Sequence, residues 1–337
     1  MITRKVFLAI GMLLGAAAVR ADPSFAFVHH LAPLLHRGAI VVDVRPLRDC
    51  EKQTIAGAHC LPAVELLGPH GRLISFRYIL WKLGTAGLSG SEEVVVVGDR
   101  PEIREFVGGV LYLAGQRKVD ILSTPMTGRG AVAQSLLGSP GRVPGSTRDP
   151  FFQGRGRERL IVLRGELARA LRGSDSPVLL DGRSVQEYWG VTIRARYGGH
   201  IPGARRLPAS ELRRDLKHGD SQVPPLAHPI AYANGPFSSI AYFTLLRAGA
   251  GIAARVYIGG WQAWAADGAL PADSVTYPSP SADAATAAGT PLPPERHRRG
   301  DRESIDWRVL TLLVGIGGLL LGSAGWICCR RRHRRAH

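Results

Sequence analysis

Residues 228–239 read His-Pro-Ile-Ala-Tyr-Ala-Asn-Gly-Pro-Phe-Ser-Ser and precede an apolar run, Ile240 to Ala248. Pro229 to Tyr232 reads as a buried strand and Ala233 to Phe237 as a tight Gly/Pro loop. Ser238 or Ser239 can cap a helix whose apolar side holds Ile240, Ala241, Phe243, Thr244 and Leu246. A strand, a loop and a helix N-terminus together present backbone N–H groups and the positive end of a helix dipole. The candidate binding loop is therefore Ala233, Asn234, Gly235, Pro236, Phe237, Ser238 and Ser239, with a small anion or a partner's peptide as its expected ligand. A second loop of this kind follows Glu93 to Val97 and brings Asp99, Arg100 and Arg104 to the start of the helix Ile103 to Gly115. A carboxylate there is stabilised by the dipole and by pairing with Arg100 or Arg104. Its expected work is to cap the helix.

The elements that position these loops alternate between strand and helix, which implies α/β folding around largely parallel sheets. Phe25 to Leu35 has helical spacing, with Gly38 to end it, and Ala39 to Val44 is an apolar strand closing on Asp43-Val-Arg45. Arg48 to Gln53 and Phe76 to Leu83 read as helices, Cys60 as a strand start, Lys118 to Leu122 as a strand, and Ala131 to Leu137 as a closing helix. The pattern then repeats. Asp43-x-Arg45 recurs as Asp181-x-Arg183, and Ile55-Ala-Gly-Ala58 as Ile201-Pro-Gly-Ala204. The second copy adds Glu187-Tyr188, His200, a strand at Arg255 to Ile258, and Gly259-Gly-Trp261 with Trp264. The Asp-x-Arg pairs, Glu187 and His200 read as scaffold, and Trp261 and Trp264 as packing.

The two ends of the chain address a membrane. Arg4 and Lys5 precede an apolar run, and Val19-Arg-Ala21 offers a cleavage site, so residues 1–21 read as a secretory signal. Val309 to Cys329 carries no charge over 21 residues, and Trp307 and Trp326 sit near its two ends. That is long enough to cross about 30 Å of hydrocarbon. The tail Arg330, Arg331, Arg332, Arg334 and Arg335 belongs on the cytoplasmic side, which exports everything between the two segments. Much of the net charge of +16 lies in these termini and in Pro/Gly-rich linkers, and no basic face interleaved with aromatic or polar readers appears, which argues against nucleic acid. Gly315, Gly318, Gly322 and Gly325 share one helix face and offer a homodimer contact. Cys50 and Cys60 are then exported, either as a disulfide or as two buried thiols. No Cys-x-x-Cys or His/Cys cluster calls for a metal, and no motif calls for a cofactor.

The repeated motifs resemble the rhodanese family, and their two-copy arrangement resembles tandem thiosulfate or mercaptopyruvate sulfurtransferases. The resemblance covers about Phe25 to Pro271, is specific in the second copy and is weaker in the first, where Thr54 replaces the usual His and no Gly-Gly-Trp follows the last strand. It implies two rhodanese-like domains, at 22–137 and 161–272, joined by a linker at 138–160. A Pro/Ala/Ser-rich stalk (273–306), one transmembrane helix (307–329) and a basic tail (330–337) follow. Family members carry a persulfide on a cysteine that opens the loop, in the form Cys-x-x-Gly-x-Arg-Ser. Placing this chain on that motif puts Ala233 at the cysteine, Ser238 at the arginine and Ser239 at the serine, while the first copy has Asp99 at the cysteine and Arg104 at the arginine. The expectation is a protein without sulfurtransferase activity, anchored in the cell inner membrane with its domains in the periplasm, acting as a binding or scaffold module. The alternative is a sulfurtransferase with a non-standard site or a cysteine-bearing partner.

Overall fold

The computed structural model describes residues 24–145, 151–173, 176–219, 223 and 226–274. The expected leader, the glycine-faced span, the basic tail and all of the stalk beyond Ser274 lie outside the described residues. Among the described residues no helix is long and apolar enough to cross a membrane.

The first half of the chain lays down β1 (Phe25–Val28), α1 (Ala32–His36), β2 (Ile40–Asp43), α2 (Leu47–Lys52), β3 (Thr54–Ile55) and β4 (His59–Cys60). It continues with α3 (Phe76–Thr85), β5 (Glu93–Val97), α4 (Pro101–Ala114), β6 (Lys118–Leu122) and β7 (Leu137–Ser139). The second half gives β8 (Ile161–Val162), α5 (Arg164–Ala170), β9 (Leu179–Asp181), α6 (Val185–Tyr188), β10 (Arg205–Arg206) and α7 (Ala209–His218). It closes with β11 (Ile230–Tyr232), α8 (Pro236–Thr244), β12 (Arg255–Tyr257) and α9 (Gly260–Ala265).

Two five-stranded sheets result, in the orders β1-β6-β5-β2-β4 and β8-β12-β11-β9-β10, and every neighbouring pair within them is parallel. The second order repeats the first strand for strand. Central strands such as Val94 to Val97 are buried throughout, as a sheet covered on both faces requires. The register sets Asp43 opposite Val97 and Asp181 opposite Tyr232, so each Asp-x-Arg lies beside the strand end that opens the neighbouring loop.

The inner faces of the two sheets share one interior. A single buried cluster runs from Phe25, Val96 and Phe106 to Tyr242, Phe243 and Val256, and smaller clusters cover the outer faces. The helices α4 and α8 meet at its centre. Glycine is required there, because a Cβ on Gly109 would lie 2.5 Å from both Ile240 Cγ2 and Thr244 Oγ1. The Thr244 hydroxyl donates to the Glu105 carbonyl at 2.9 Å, tying the two helix backbones together.

Several expectations need correction. Phe25 to Leu35 is not one helix: Phe25–Val28 is the edge strand β1, paired with β6, and α1 begins only at Ala32. The gain is burial, since Phe25 is fully covered and its ring stacks on Tyr112 at 4.2 Å. Ala131 to Leu137 is not a closing helix. It holds one 3-10 turn, Gln134–Leu136, and then β7, which pairs antiparallel with β3. The polar helix α7 carries no expectation from the sequence, because it buries only Leu212. Asp273, placed in the stalk, belongs to the fold: its backbone bridges His200.

Candidate functional site

In the second half, β11 hands the chain to α8 through Ala233, Asn234 and Gly235. The helix starts differently from the expectation. Gly235 is its N-cap and Pro236 its first residue, while Ser238 and Ser239 lie inside the first turn. Proline at the first helical position has the right φ and lacks only an N–H that would be unpaired anyway, so it sets the start earlier than either serine. The two hydroxyls reach back into the loop. Ser238 Oγ accepts from the Gly235 N–H at 3.1 Å, and Ser239 Oγ accepts from the Ala233 N–H at 3.0 Å. Two N–H groups of the expected cradle are thereby bound within the chain.

The loop is fastened on its other side by backbone. The Trp261 N–H donates to the Ala233 carbonyl and the Gln262 N–H to the Asn234 carbonyl, each at 2.8 Å. Gly260 makes this approach at φ 61°, and a Cβ there would sit 2.6 Å from the Ala233 oxygen. The Asn234 amide donates to Glu187 Oε1 at 2.9 Å. A carboxylate only accepts, so this contact fixes the amide orientation, and Asn234 Oδ1 is left buried without a partner. Burial works against the Glu187 charge, but hydrogen bonds from Ser184 and Asn234 outweigh it and hold its carboxyl below the ordinary value.

A cavity of about 210 Å³ opens onto this loop, with Ala233, Asn234, Phe237 and Ser238 on one side and Glu102, Ser184 and Arg213 on others. Two guanidiniums line it, and both are committed to carboxylates. Arg183 Nη2 meets Asp181 Oδ2 at 2.6 Å and the Gly199 carbonyl at 2.8 Å. Arg213 of α7 forks onto Glu105 of α4, Nε to Oε1 at 2.8 Å and Nη2 to Oε2 at 2.7 Å. That pair bridges the two halves of the fold. Burial pushes the Glu105 carboxyl up against the pull of Arg213. Glu102, Ser184, Ser210 and Arg213 were not legible as site residues, because the cavity is assembled from α4, α6 and α7 by packing rather than by local spacing.

The loop of the first half does different work from the expectation. The Asp99 carboxylate pairs with neither Arg100 nor Arg104, and it does not cap α4, whose N-cap is Arg100. Its Oδ1 accepts from the Thr127 N–H at 2.8 Å and hydroxyl at 2.9 Å, pinning the loop that follows β6. Arg104 turns inward instead. It is buried and donates to the carbonyls of Gly98, Asp99, Ser123 and Thr124, the Ser123 contact at 3.0 Å, and burial pulls its guanidinium below the ordinary value. These carbonyl contacts compensate the desolvated charge in place of the carboxylate. Arg100 is exposed.

The scaffold readings fit the contacts. Arg45 forks onto Asp43 as Arg183 does onto Asp181, and the Thr54 hydroxyl donates to Asp43 Oδ2 at 2.7 Å. His200 stacks on Tyr188 at 3.7 Å, and Trp261 and Trp264 are buried. Cys50 and Cys60 form a disulfide, fully buried, with Cα atoms 6.0 Å apart. Gly141 packs over the bridge, and its N–H donates to the Cys50 carbonyl at 2.9 Å. Among the described residues no group of three or more His, Cys, Asp or Glu is placed to hold a metal ion.

Residues 164–267 match the rhodanese-like domain family, which spans the second sheet from α5 to α9. No curated relative matches the chain. Among solved structures, a probable thiosulfate sulfurtransferase is similar at 23% identity over 70% of this chain and 97% of that one, with a TM-score of 0.52. An EanB variant in complex with ergothioneine is similar at 20% identity over 72% of this chain and 68% of that one, with a TM-score of 0.55. A second EanB structure, with ergothioneine covalently linked to a persulfide cysteine, is similar at 19% identity over the same shares, also with a TM-score of 0.55. These likenesses are likenesses of fold: α/β, with parallel sheets flanked by helices.

Proposed function

We propose that this chain, with its rhodanese-like domain at residues 164–267, is a tandem rhodanese-like protein that binds a partner rather than transferring sulfur. The observation that carries the reading is at Ala233. The residue that opens the loop ends in a methyl group, is 3% exposed, and has its N–H taken by Ser239. A sulfur carrier needs a thiolate, and neither a methyl group nor the Asp99 carboxylate at the matching position of the first half can become a persulfide. The thiols of Cys50 and Cys60 are bonded to each other, which also favours an oxidising compartment.

In this reading the chain is exported and held in the inner membrane by the segment 307–329, with the tail in the cytoplasm and both domains in the periplasm. The cavity beside Ala233 then serves recognition. Its serines already fill two backbone donors, and its unpaired polar atom, the buried Asn234 Oδ1, is an acceptor, which favours a partner's peptide N–H over a bare anion.

The test is thiosulfate-to-cyanide transfer by the purified full-length chain, with mass spectrometry for persulfide. The expected result is turnover indistinguishable from the blank and no persulfide on any cysteine. Turnover that disappears in a Cys50→Ser or Cys60→Ser variant overturns the reading.

A further inference from the structure

At the other end of α4 and α8 from the two loops, the linker crosses the seam between the halves. Gly156 to Leu160, together with Tyr112 and Arg247, surrounds an open cleft of about 440 Å³. Three arginines line it: Arg157, Arg159 and Arg247. None makes an ion pair among the described residues. Glu158, the only carboxylate among the lining residues, is exposed and pairs with none of them. The cleft therefore carries a net positive charge, three guanidiniums against one carboxylate that pairs with none of them.

Two of these cations are held against one aromatic ring. The Arg157 guanidinium lies 4.1 Å from the centroid of the Tyr112 ring, and that of Arg247 lies 5.6 Å from the same centroid. Arg247 is carried there by a π-helical turn, Leu245–Gly249, that follows α8, a local departure from α-helix that recurs at functional sites. Arginines near helix C-termini also serve to satisfy carbonyls, and these do so in part. Arg157 Nη1 donates to the Tyr112 and Gln116 carbonyls, and Arg247 Nη1 donates to the Ala254 carbonyl at 3.0 Å. Those contacts use one nitrogen of each fork for carbonyls, and Arg247 Nη2 donates to the Tyr112 hydroxyl at 3.4 Å. Arg247 Nε is buried with no partner, and Arg159 makes no side-chain hydrogen bond among the described residues. Arg157, with only Nη1 engaged among the described residues, and Arg159, with its whole guanidinium unengaged, offer donors to an acceptor-rich anion, and Arg247 adds its charge beside them.

We propose that this cleft binds a tetrahedral oxyanion, a phosphate or sulfate group, whose several oxygens accept from Arg247, Arg157 and Arg159 together. This site is separate from the loop at Ala233, and the inference stands whether or not sulfur is transferred there. The experiment is isothermal titration of the full-length chain with sodium phosphate and, in a second arm, sodium sulfate, at ionic strength held constant with sodium chloride. Wild type is expected to bind at least one of the two saturably. Arg159→Glu, which removes no internal contact, is expected to weaken that binding roughly tenfold or more, the loss of a charge-assisted hydrogen bond together with a reversed charge. Arg247→Lys, which keeps the charge and loses the fork, is expected to weaken it by a smaller factor. Arg172→Glu, the same charge change on an exposed residue outside the cleft, is expected to leave it unchanged. No saturable heat with either anion overturns the proposal. So does equal loss in Arg159→Glu and Arg172→Glu, which would mean the anion responds to net charge alone.

Discussion

Replacing Arg213 by Met removes the only ion-pair partner that Glu105 has among the described residues while keeping most of the packing volume. The carboxylate is 1% exposed and the arginine side chain 25% exposed, so the charge left behind is buried. Breaking a buried pair from one side costs about 3–5 kcal/mol, and the partial exposure of Arg213 points to the lower end. A second bound agrees. The folded chain can escape by protonating Glu105, which at pH 7 costs about 1.4 kcal/mol for each of the ~2.7 pH units above a carboxyl pKa of about 4.3, or some 3.8 kcal/mol. Stability at pH 7 should therefore fall by about 3 kcal/mol. The sign of the pH dependence follows from the folded carboxyl lying above its unfolded value. Stability is then full below the unfolded pKa and is lost as pH rises through the folded one. In the variant the folded pKa rises further, so its deficit shrinks by up to ~1.4 kcal/mol for each pH unit removed between 7 and 5. Urea unfolding of wild type and variant at pH 7 and pH 5 measures this, and adding Glu105→Gln to Arg213→Met should recover most of the loss. A deficit of equal size at both pH values would refute the reasoning.

Three further outcomes follow from the contacts. Gly109→Ala places a methyl group 2.5 Å from Ile240 and Thr244, so it should cost about 1–3 kcal/mol by urea unfolding, whereas Gly165→Ala, with nothing within 4 Å, should be neutral or stabilising by up to about 1 kcal/mol. Ser239→Ala strands the buried Ala233 N–H and should cost about 1–3 kcal/mol, visible as faster hydrogen exchange of the loop amides. Replacing Cys50 and Cys60 together by Ala opens a loop with a sequence separation of 10, for which chain entropy gives roughly 2.7 kcal/mol, read as a lower urea midpoint.

The strand–loop–helix units were legible because each is local. An apolar run, a Gly/Pro loop and a capped helix declare themselves within about twenty residues, and the duplicated Asp-x-Arg marks where each sheet meets its loop. What the sequence hid depends on distant partners. Phe25–Val28 has helical spacing with Leu31, Leu34 and Leu35, and only β6, some ninety residues later, makes it a strand. Asp99 looked like a cap because the residue that binds it, Thr127, lies beyond the next strand. At Ser238 and Ser239 the capping signal was genuine but misplaced, since both hydroxyls cap the loop from inside the helix that Pro236 had already begun. Gly108-Gly109 inside a helix was the unread signal for the seam: one glycine clears Ile121 of its own sheet and the other clears the opposing helix.

That seam has a consequence for dissection. Severing the chain within 146–150 would yield two fragments, each with a complete parallel sheet and each with one raw oily wall, formed by α4 on one fragment and α8 on the other. Either fragment made alone should precipitate or bind non-specifically. The two made together should reassemble, with Gly109 against Ile240 and Arg213 against Glu105 as the features that select the correct mate.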